Sequence, residues 1–331
     1  AWETYLRALA MQGEANETVN SSMAFEIAAT FDEAVAIDPS FFDAHLQLVE
    51  LWFSQLDITT TAHSPFGPGY EERLARFKAA VAGAIKHARS DVDRLWVEYN
   101  MATVEVRFHD QIRILEQIAA LAPDDFEAWG RLLQHYQRVG ELDKARDAGI
   151  KAWALRQDDD NQASVIYQMR RIDTAETLQM IDALEAEGTG STGTYYQAHR
   201  ALLDAGQLER AREMIDKYEL RSIDADGSTI MRVRQACAEG RVSDAGSLYE
   251  GHVVRRSNTH WLFLTTLGRH EEANELLRQY DTPEHLFILT GFLDYRTFDP
   301  REFPLLWRTM QAQDIYRAPV RQQTFQCSRD A

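Results

Sequence analysis

One short motif recurs four times along the chain: a glycine, four residues, then an alanine, always inside a charged, helix-forming stretch. It reads GELDKA at Gly140–Ala145, GQLERA at Gly206–Ala211, GRVSDA at Gly240–Ala245 and GRHEEA at Gly268–Ala273. Gly206 and Gly240 lie 34 residues apart, and Gly140 and Gly206 lie 66 apart, close to two such steps. A period near 34 is that of a helix–turn–helix unit too small to bury its own apolar face, so units must stack to share a core. The glycine allows a tight turn between helices, and the alanine lets the neighbouring helix approach closely. The spacing predicts an all-α fold, a right-handed superhelical solenoid of about eight helix pairs. Solenoids usually present surfaces rather than perform chemistry.

Helical periodicity carries this pairing through most of the chain. Helices are expected at 1–12 and 21–37, 41–57 and 71–88, 91–107 and 110–121, 125–138 and 141–155, then 160–169 and 174–187. They continue at 194–205 and 207–219, 228–239 and 241–254, 258–267 and 270–280, with single helices at 284–292 and near 304–312. Two stretches break the pattern. TTTAHSPFGPGY, residues 59–70, is too rich in proline and glycine for a turn within a repeat and reads as an inserted surface loop. GTGSTG, residues 188–193, is the expected hinge. The chain thus divides into a repeat region, 1–294, and a tail, 295–331, that caps the last exposed apolar face.

Charge narrows the functional classes. The formal charge of −17 disfavours nucleic acid, whose phosphates need a basic surface. Residues 1–57 hold ten acids against the single base Arg7, which reads as a solvated helix face or as a docking patch for a basic partner. No apolar run approaches the roughly 20 residues of a membrane span. The chain opens on an amphipathic segment, AWETYLRALAM, without Met or a signal-peptide pattern, as expected for a processed chain or part of a longer one.

Catalytic signatures are missing from the sequence. Ten histidines are scattered, none in HExxH or at zinc-ligand spacing, and no GxSxG, Walker loop or GxGxxG occurs. The chain is therefore expected to be neither an enzyme nor a carrier of a metal or cofactor. Two cysteines, Cys237 and Cys327, leave two readings open: reduced thiols in a cytoplasmic protein, or a bridge closing a loop of about 90 residues, worth about 4–5 kcal/mol in a chain-entropy account.

The unit at 126–157 resembles the tetratricopeptide repeat: Trp129, Leu132, Tyr136, Gly140, Ala145 and Ala152 fall on that family's signature positions, with Gln157 where its closing proline would stand. The opening YLRALA (Tyr5–Ala10) with AFEIAATFDEAVAIDPSFFDAH, and the closing FDPREFPLLW and RAPVRQQTFQC, are similar to the C-terminal repeat module of bacterial adenylate-cyclase-like sensors and winged-helix regulators. The resemblance implies a periplasmic or otherwise extracytoplasmic module of a multidomain signalling protein, tethered by an upstream segment, and favours a Cys237–Cys327 bridge. It also assigns groove positions on the first helix of each unit. Here these are Trp96, Asn100 and Thr103, then Glu127, Arg131, Gln134 and Arg138, then Tyr196 and Arg200, and Arg234. Guanidinium forks suit carboxylates, so an acidic segment or a chain's C-terminal carboxylate is the expected protein ligand. The family's carboxylate clamp has lysine where this chain has Trp96, although Asn100 matches. Phe66 and Tyr70 in the inserted loop are further candidate anchors. The expected function is a non-catalytic scaffold for protein–protein interaction, with a sensory or regulatory module as the alternative.

Overall fold

The computed structural model describes residues 1–18, 23–56, 69–156, 158–254, 257–295, 297–315 and 325–327. Among these residues the protein is all-α, with eighteen helices and no strand. In chain order they are α1 (Trp2–Thr18), α2 (Ala24–Ile37), α3 (Phe42–Leu56), α4 (Tyr70–His87), α5 (Asp91–Val104) and α6 (Phe108–Leu121). Next come α7 (Phe126–Val139), α8 (Leu142–Leu155), α9 (Asp159–Met169), α10 (Thr174–Glu187), α11 (Thr192–Asp204) and α12 (Leu208–Glu219). The last are α13 (Ala225–Ala238), α14 (Val242–Glu250), α15 (Ser257–Thr266), α16 (His270–Arg278), α17 (Leu286–Phe292) and α18 (Pro304–Gln311).

Local chemistry sets the helix ends. Ser90, Asp125, Asp158, Asp173 and Ser191 each accept a backbone N–H at the start of α5, α7, α9, α10 and α11. Each such cap is worth about 1 kcal/mol. The motif glycines form one repeated turn, with φ of 89° at Gly140, 71° at Gly206, 75° at Gly240 and 74° at Gly268. At Gly206 the glycine N–H bonds the Leu203 carbonyl at 3.0 Å, and the next N–H, of Gln207, reaches back to Leu202 at 2.9 Å. The other three turns repeat that pair of bonds, which satisfies carbonyls left over at a helix C-terminus. The partner alanines, Ala145, Ala211, Ala245 and Ala273, are completely buried, as close helix contact demands.

A fifth turn of this kind joins α5 to α6 without either signature residue. Val106 takes the left-handed position at φ 52°, and Arg107 N–H bonds the Ala102 carbonyl at 2.9 Å. That conformation costs a β-branched residue roughly 1–2 kcal/mol, which burial of its side chain offsets. Gln111 fills the alanine position, buried, and its amide donates to Ala102 O at 2.9 Å.

Packing divides the chain into two units. The first holds Ala1–Pro123 with Thr282–Ile288, the second Asp124–Asp281 with Leu289–Ala331. In the first unit α1 packs on α2, α3 on α4 and α5 on α6, and the first helices of successive pairs, α3 and α5, also touch. Phe31, Trp52, Phe77 and Phe108 are buried in this unit, and Phe53 lies against both Phe77 and Phe287. In the second unit α7, α9, α11, α13 and α15 contact one another in series, each also packed on its own second helix. The α9–α10 pair is looser, and α9 lies more broadly on α11 than on α10. Fully burying a Leu, Ile or Phe side chain is worth about 1.5–3 kcal/mol, so these shared faces hold each unit together.

The expected hinge at 188–193 is a cap-to-cap turn, in which Gly188 (φ 67°) closes α10 and Ser191 opens α11. The inserted loop at 59–70 lies mostly outside the described residues, and Phe66 with it. At the C-terminal end Trp261 is fully buried against Phe292, Tyr295 and Phe298, with ring centres 5.1, 5.0 and 6.4 Å away. Asp281 caps α18 from a distance in sequence, accepting from the N–H groups of Leu305 and Leu306 at 3.0 Å each. No helix among the described residues is long and apolar enough to cross a membrane.

Candidate functional site

Helical spacing puts the expected groove residues on common faces, because positions four apart lie one turn above each other. Gln134 and Arg138 share a face of α7, Tyr196 and Arg200 a face of α11, and Arg234 lies on α13. In the second unit these meet residues from the end of α9 and from the segment after α17. Trp96 and Asn100 share a face of α5 in the first unit, both half-buried, with Trp96 set edge-on to Tyr99. Tyr70 begins α4 and packs edge-on against His285.

Arg138 binds Asp294 of its own chain. The guanidinium donates from Nε to Oδ1 at 2.8 Å and from Nη2 to Oδ2 at 3.0 Å, and Gln134 Nε2 donates to Oδ2 at 2.5 Å. Both charged side chains are buried, 8% and 7% exposed. Burial alone would raise the Asp294 carboxyl, but the Arg138 charge and hydrogen bonds, with help from Arg171 and Gln134, hold it below the ordinary range. The arginine–carboxylate chemistry read from the sequence is therefore present, and the chain's own Asp294 supplies the carboxylate. Arg131, by contrast, forms an exposed pair with Glu127 at 2.6 Å, a class worth about 0–1 kcal/mol.

Around Tyr167 the second unit gathers more arginines than the groove positions anticipated. The guanidinium carbons of Arg171, Arg200 and Arg170 lie 4.8, 4.9 and 5.7 Å from the Tyr167 ring centre. Arg200 also stands 5.8 Å from the Tyr295 ring, and Arg234 covers Tyr196 at 5.0 Å and Phe325 at 5.8 Å. Arg170 reaches Asp204 at 2.5 Å, Arg171 donates to Gln137 at 2.7 Å and to Gln168, and Arg200 donates to Gln197 at 3.2 Å. Arg170 and Arg200 are each 2% exposed and Arg234 1%. Burial, then the neighbouring Arg200 charge, pulls Arg170 down to about 9, which still leaves it charged at neutral pH. Burial also lowers Arg171 and Arg234 and raises the Tyr295 hydroxyl.

A buried charge without an ionic partner costs several kcal/mol, and a desolvated cation–π contact returns about 2. The stacked tyrosines therefore offset part of the cost of this cluster. His199 on α11 is fully buried beside it. Neither ring nitrogen makes a hydrogen bond of good geometry, and burial followed by the Arg234 charge depresses the imidazole to about 3.

Tyr167, Arg170, Arg171, Asp294 and Tyr295 were not singled out by the sequence reading. Tyr-x-x-Arg-Arg at 167–171 was the available signal, since spacings of three and four set both arginines on the tyrosine's helical face. Nothing local marks Asp294, whose role depends on a contact across 156 residues.

The tail is pinned to this unit by a Cys237–Cys327 disulfide between residues 90 apart. Cys327 N–H donates to Thr266 O at 2.8 Å, and the two cysteines share a buried cluster with Ile230, Val233 and Phe263. A Cβ at Gly268 would meet the Cys327 carbonyl oxygen at 3.0 Å, so this glycine serves both the turn and the tail. Between α10, α11 and α12 a mainly apolar cleft of about 200 Å³ is lined by Ile181, Leu184, Tyr195, Met214 and Lys217. That is below the roughly 300–1,000 Å³ of small-molecule sites. Among the described residues no three His, Cys, Asp or Glu side chains gather as a metal site would require. Set against models of known protein families the chain matches none, and no curated protein matches it.

Proposed function

We propose that this chain is a non-catalytic interaction module, a right-handed superhelical stack of tetratricopeptide-like helix pairs that holds a segment of a partner protein or joins a larger assembly. One observation carries the reading: α7, α9, α11, α13 and α15 contact one another in series, and the same left-handed glycine turn joins the two helices within four of these five pairs. Stacks of this kind offer a continuous row of first helices to a ligand. The arginines at the centre of the second unit are engaged within the chain, so partner contact falls to side chains that keep access to solvent. In the first unit these are Trp96 and Asn100 on α5, and in the second, separately, Arg131 on α7. An aromatic anchor beside a polar amide is a common centre of binding energy.

The test is chemical cross-linking in the native source, followed by recovery with wild type and with a Trp96→Ala/Asn100→Ala variant of unchanged helicity. A specific cross-linked partner lost by the variant supports the reading. Equal recovery by both moves the surface elsewhere, and absence of any specific partner sinks the scaffold reading.

The Cys237–Cys327 bridge favours an oxidising, extracytoplasmic compartment, where disulfides persist. That placement also suits a second reading, the sensory or regulatory module of a membrane-anchored bacterial signalling protein. The full-length reading frame separates the two. Thiol labelling of the protein taken directly from its source tests the compartment, since two reactive cysteines in the native protein would argue against it.

A further inference from the structure

Three buried arginines of the second unit, Arg170, Arg200 and Arg234, keep donors that no group among the described residues accepts. Nε and Nη2 of Arg170, Nε of Arg200, and Nε and Nη1 of Arg234 are buried without a hydrogen-bond partner. Arg170 and Arg200 converge on one ring, that of Tyr167, and Arg234 stands over the neighbouring Tyr196. A guanidinium stacked on an aromatic face spends its π surface there, while its N–H groups lie in the guanidinium plane and still require an acceptor. Asp204 meets one nitrogen of Arg170, and Gln197 meets one nitrogen of Arg200. Arg170 has the Asp204 carboxylate, but neutral water would satisfy the N–H groups of Arg200 and Arg234 without supplying a negative charge to either.

We propose that Arg170 and Arg200 at Tyr167, with Arg234 beside them, form a binding site for a small, multiply charged oxyanion of the phosphate or sulfate type. Several forks presented from α9, α11 and α13 suit an ion with acceptor oxygens on all sides better than a planar carboxylate, whose two oxygens engage one fork. The burial of all three arginines, at 1–2% exposure, excludes a long peptide or a nucleotide as the occupant. The ion would tie three successive first helices together. This site is independent of the partner-binding surface, and its test needs only the purified chain.

The experiment has two readouts on the wild-type protein. Ion chromatography after denaturation detects phosphate or sulfate carried through purification. Calorimetric titration of dialysed protein in a chloride buffer, with inorganic phosphate and separately with inorganic sulfate, detects a saturable site at millimolar concentration or below. One ion per chain by either readout is expected, and the titrations distinguish the two ions. Arg200→Gln should weaken binding on the order of tenfold or more, the loss expected for a charge-assisted donor, whereas the exposed Arg131→Gln should bind as wild type does. Should Arg200→Gln fail to fold, Arg170→Gln serves the same purpose. Neither carried ion nor saturable heat in the wild type overturns the site, as does full binding by a folded Arg200→Gln or Arg170→Gln variant.

Discussion

Replacing Asp294 by alanine should destabilise the second unit far more than the loss of an ordinary surface acid. The substitution removes three acceptor contacts, two from Arg138 and one from Gln134, and leaves the Arg138 guanidinium buried without its counter-ion. Breaking one side of a buried pair in this way costs about 3–5 kcal/mol. Most of that cost is the stranded charge, so removing both charges together, Arg138→Met with Asp294→Leu, should recover most of the loss. Urea unfolding of the wild type, Arg138→Met, Asp294→Leu and the double variant forms a cycle whose coupling energy should exceed about 1.5 kcal/mol, beyond the surface-pair range. The pH dependence carries a definite sign. The Asp294 carboxyl is held below its ordinary value in the folded state, so its stabilisation is complete above the unfolded value near ~3.9 and is lost as pH falls through the lower folded value. The gap between wild type and Asp294→Ala should therefore be constant near neutrality and close only in acid. A single-variant cost below about 1 kcal/mol, or additive single variants, would refute the claim that this pair is buried and mutually dependent.

Three further outcomes follow from the same geometry. Gly206→Ala should cost about 1–2 kcal/mol because its φ of 71° strains any side chain, while Gly246→Ala, inside α14 with open space at its Cβ, should gain about 1 kcal/mol. Thermal melts giving both changes the same sign would contradict the turn assignment. His199 stays neutral when folded down to about 3, while the unfolded chain takes up a proton below about 6.5, so stability should fall with falling pH between those values by about 1.4 kcal/mol per pH unit. His199→Leu should flatten that slope, and an unchanged slope in pH-dependent melts would count against a buried neutral imidazole. Reducing the Cys237–Cys327 bridge, or substituting Cys237→Ser, should lower stability by up to about 4–5 kcal/mol for the 90-residue separation it spans, and matching unfolding midpoints with and without reductant would discount the bridge.

Much of the helical layout was legible because it is written in nearest-neighbour chemistry. Each expected helix has a counterpart, with α10 at the expected 174–187 and α5 to α8 displaced by only a few residues, since caps, glycines and prolines act within a turn of where they stand. The α5–α6 turn escaped the motif because Val106 and Gln111 occupy the glycine and alanine places, which tertiary burial makes tolerable. The groove arginines were found by position, but their environment was not. Arg131 and Arg138 lie seven residues apart on one helix, and one is exposed beside Glu127 while the other is sealed against Asp294.

The chain alone therefore determined its helices, its repeated turn and the faces on which its arginines stand, because each follows from contacts a few residues long. Which arginine meets a carboxylate 156 residues away and which lies beside Tyr295 was decided only when the segment after α17 packed into the second unit. Burial and charge pairing are properties of neighbours in space, and no spacing along the backbone encodes that Asp294 returns to Arg138 and Tyr295 to Arg200 within the second unit.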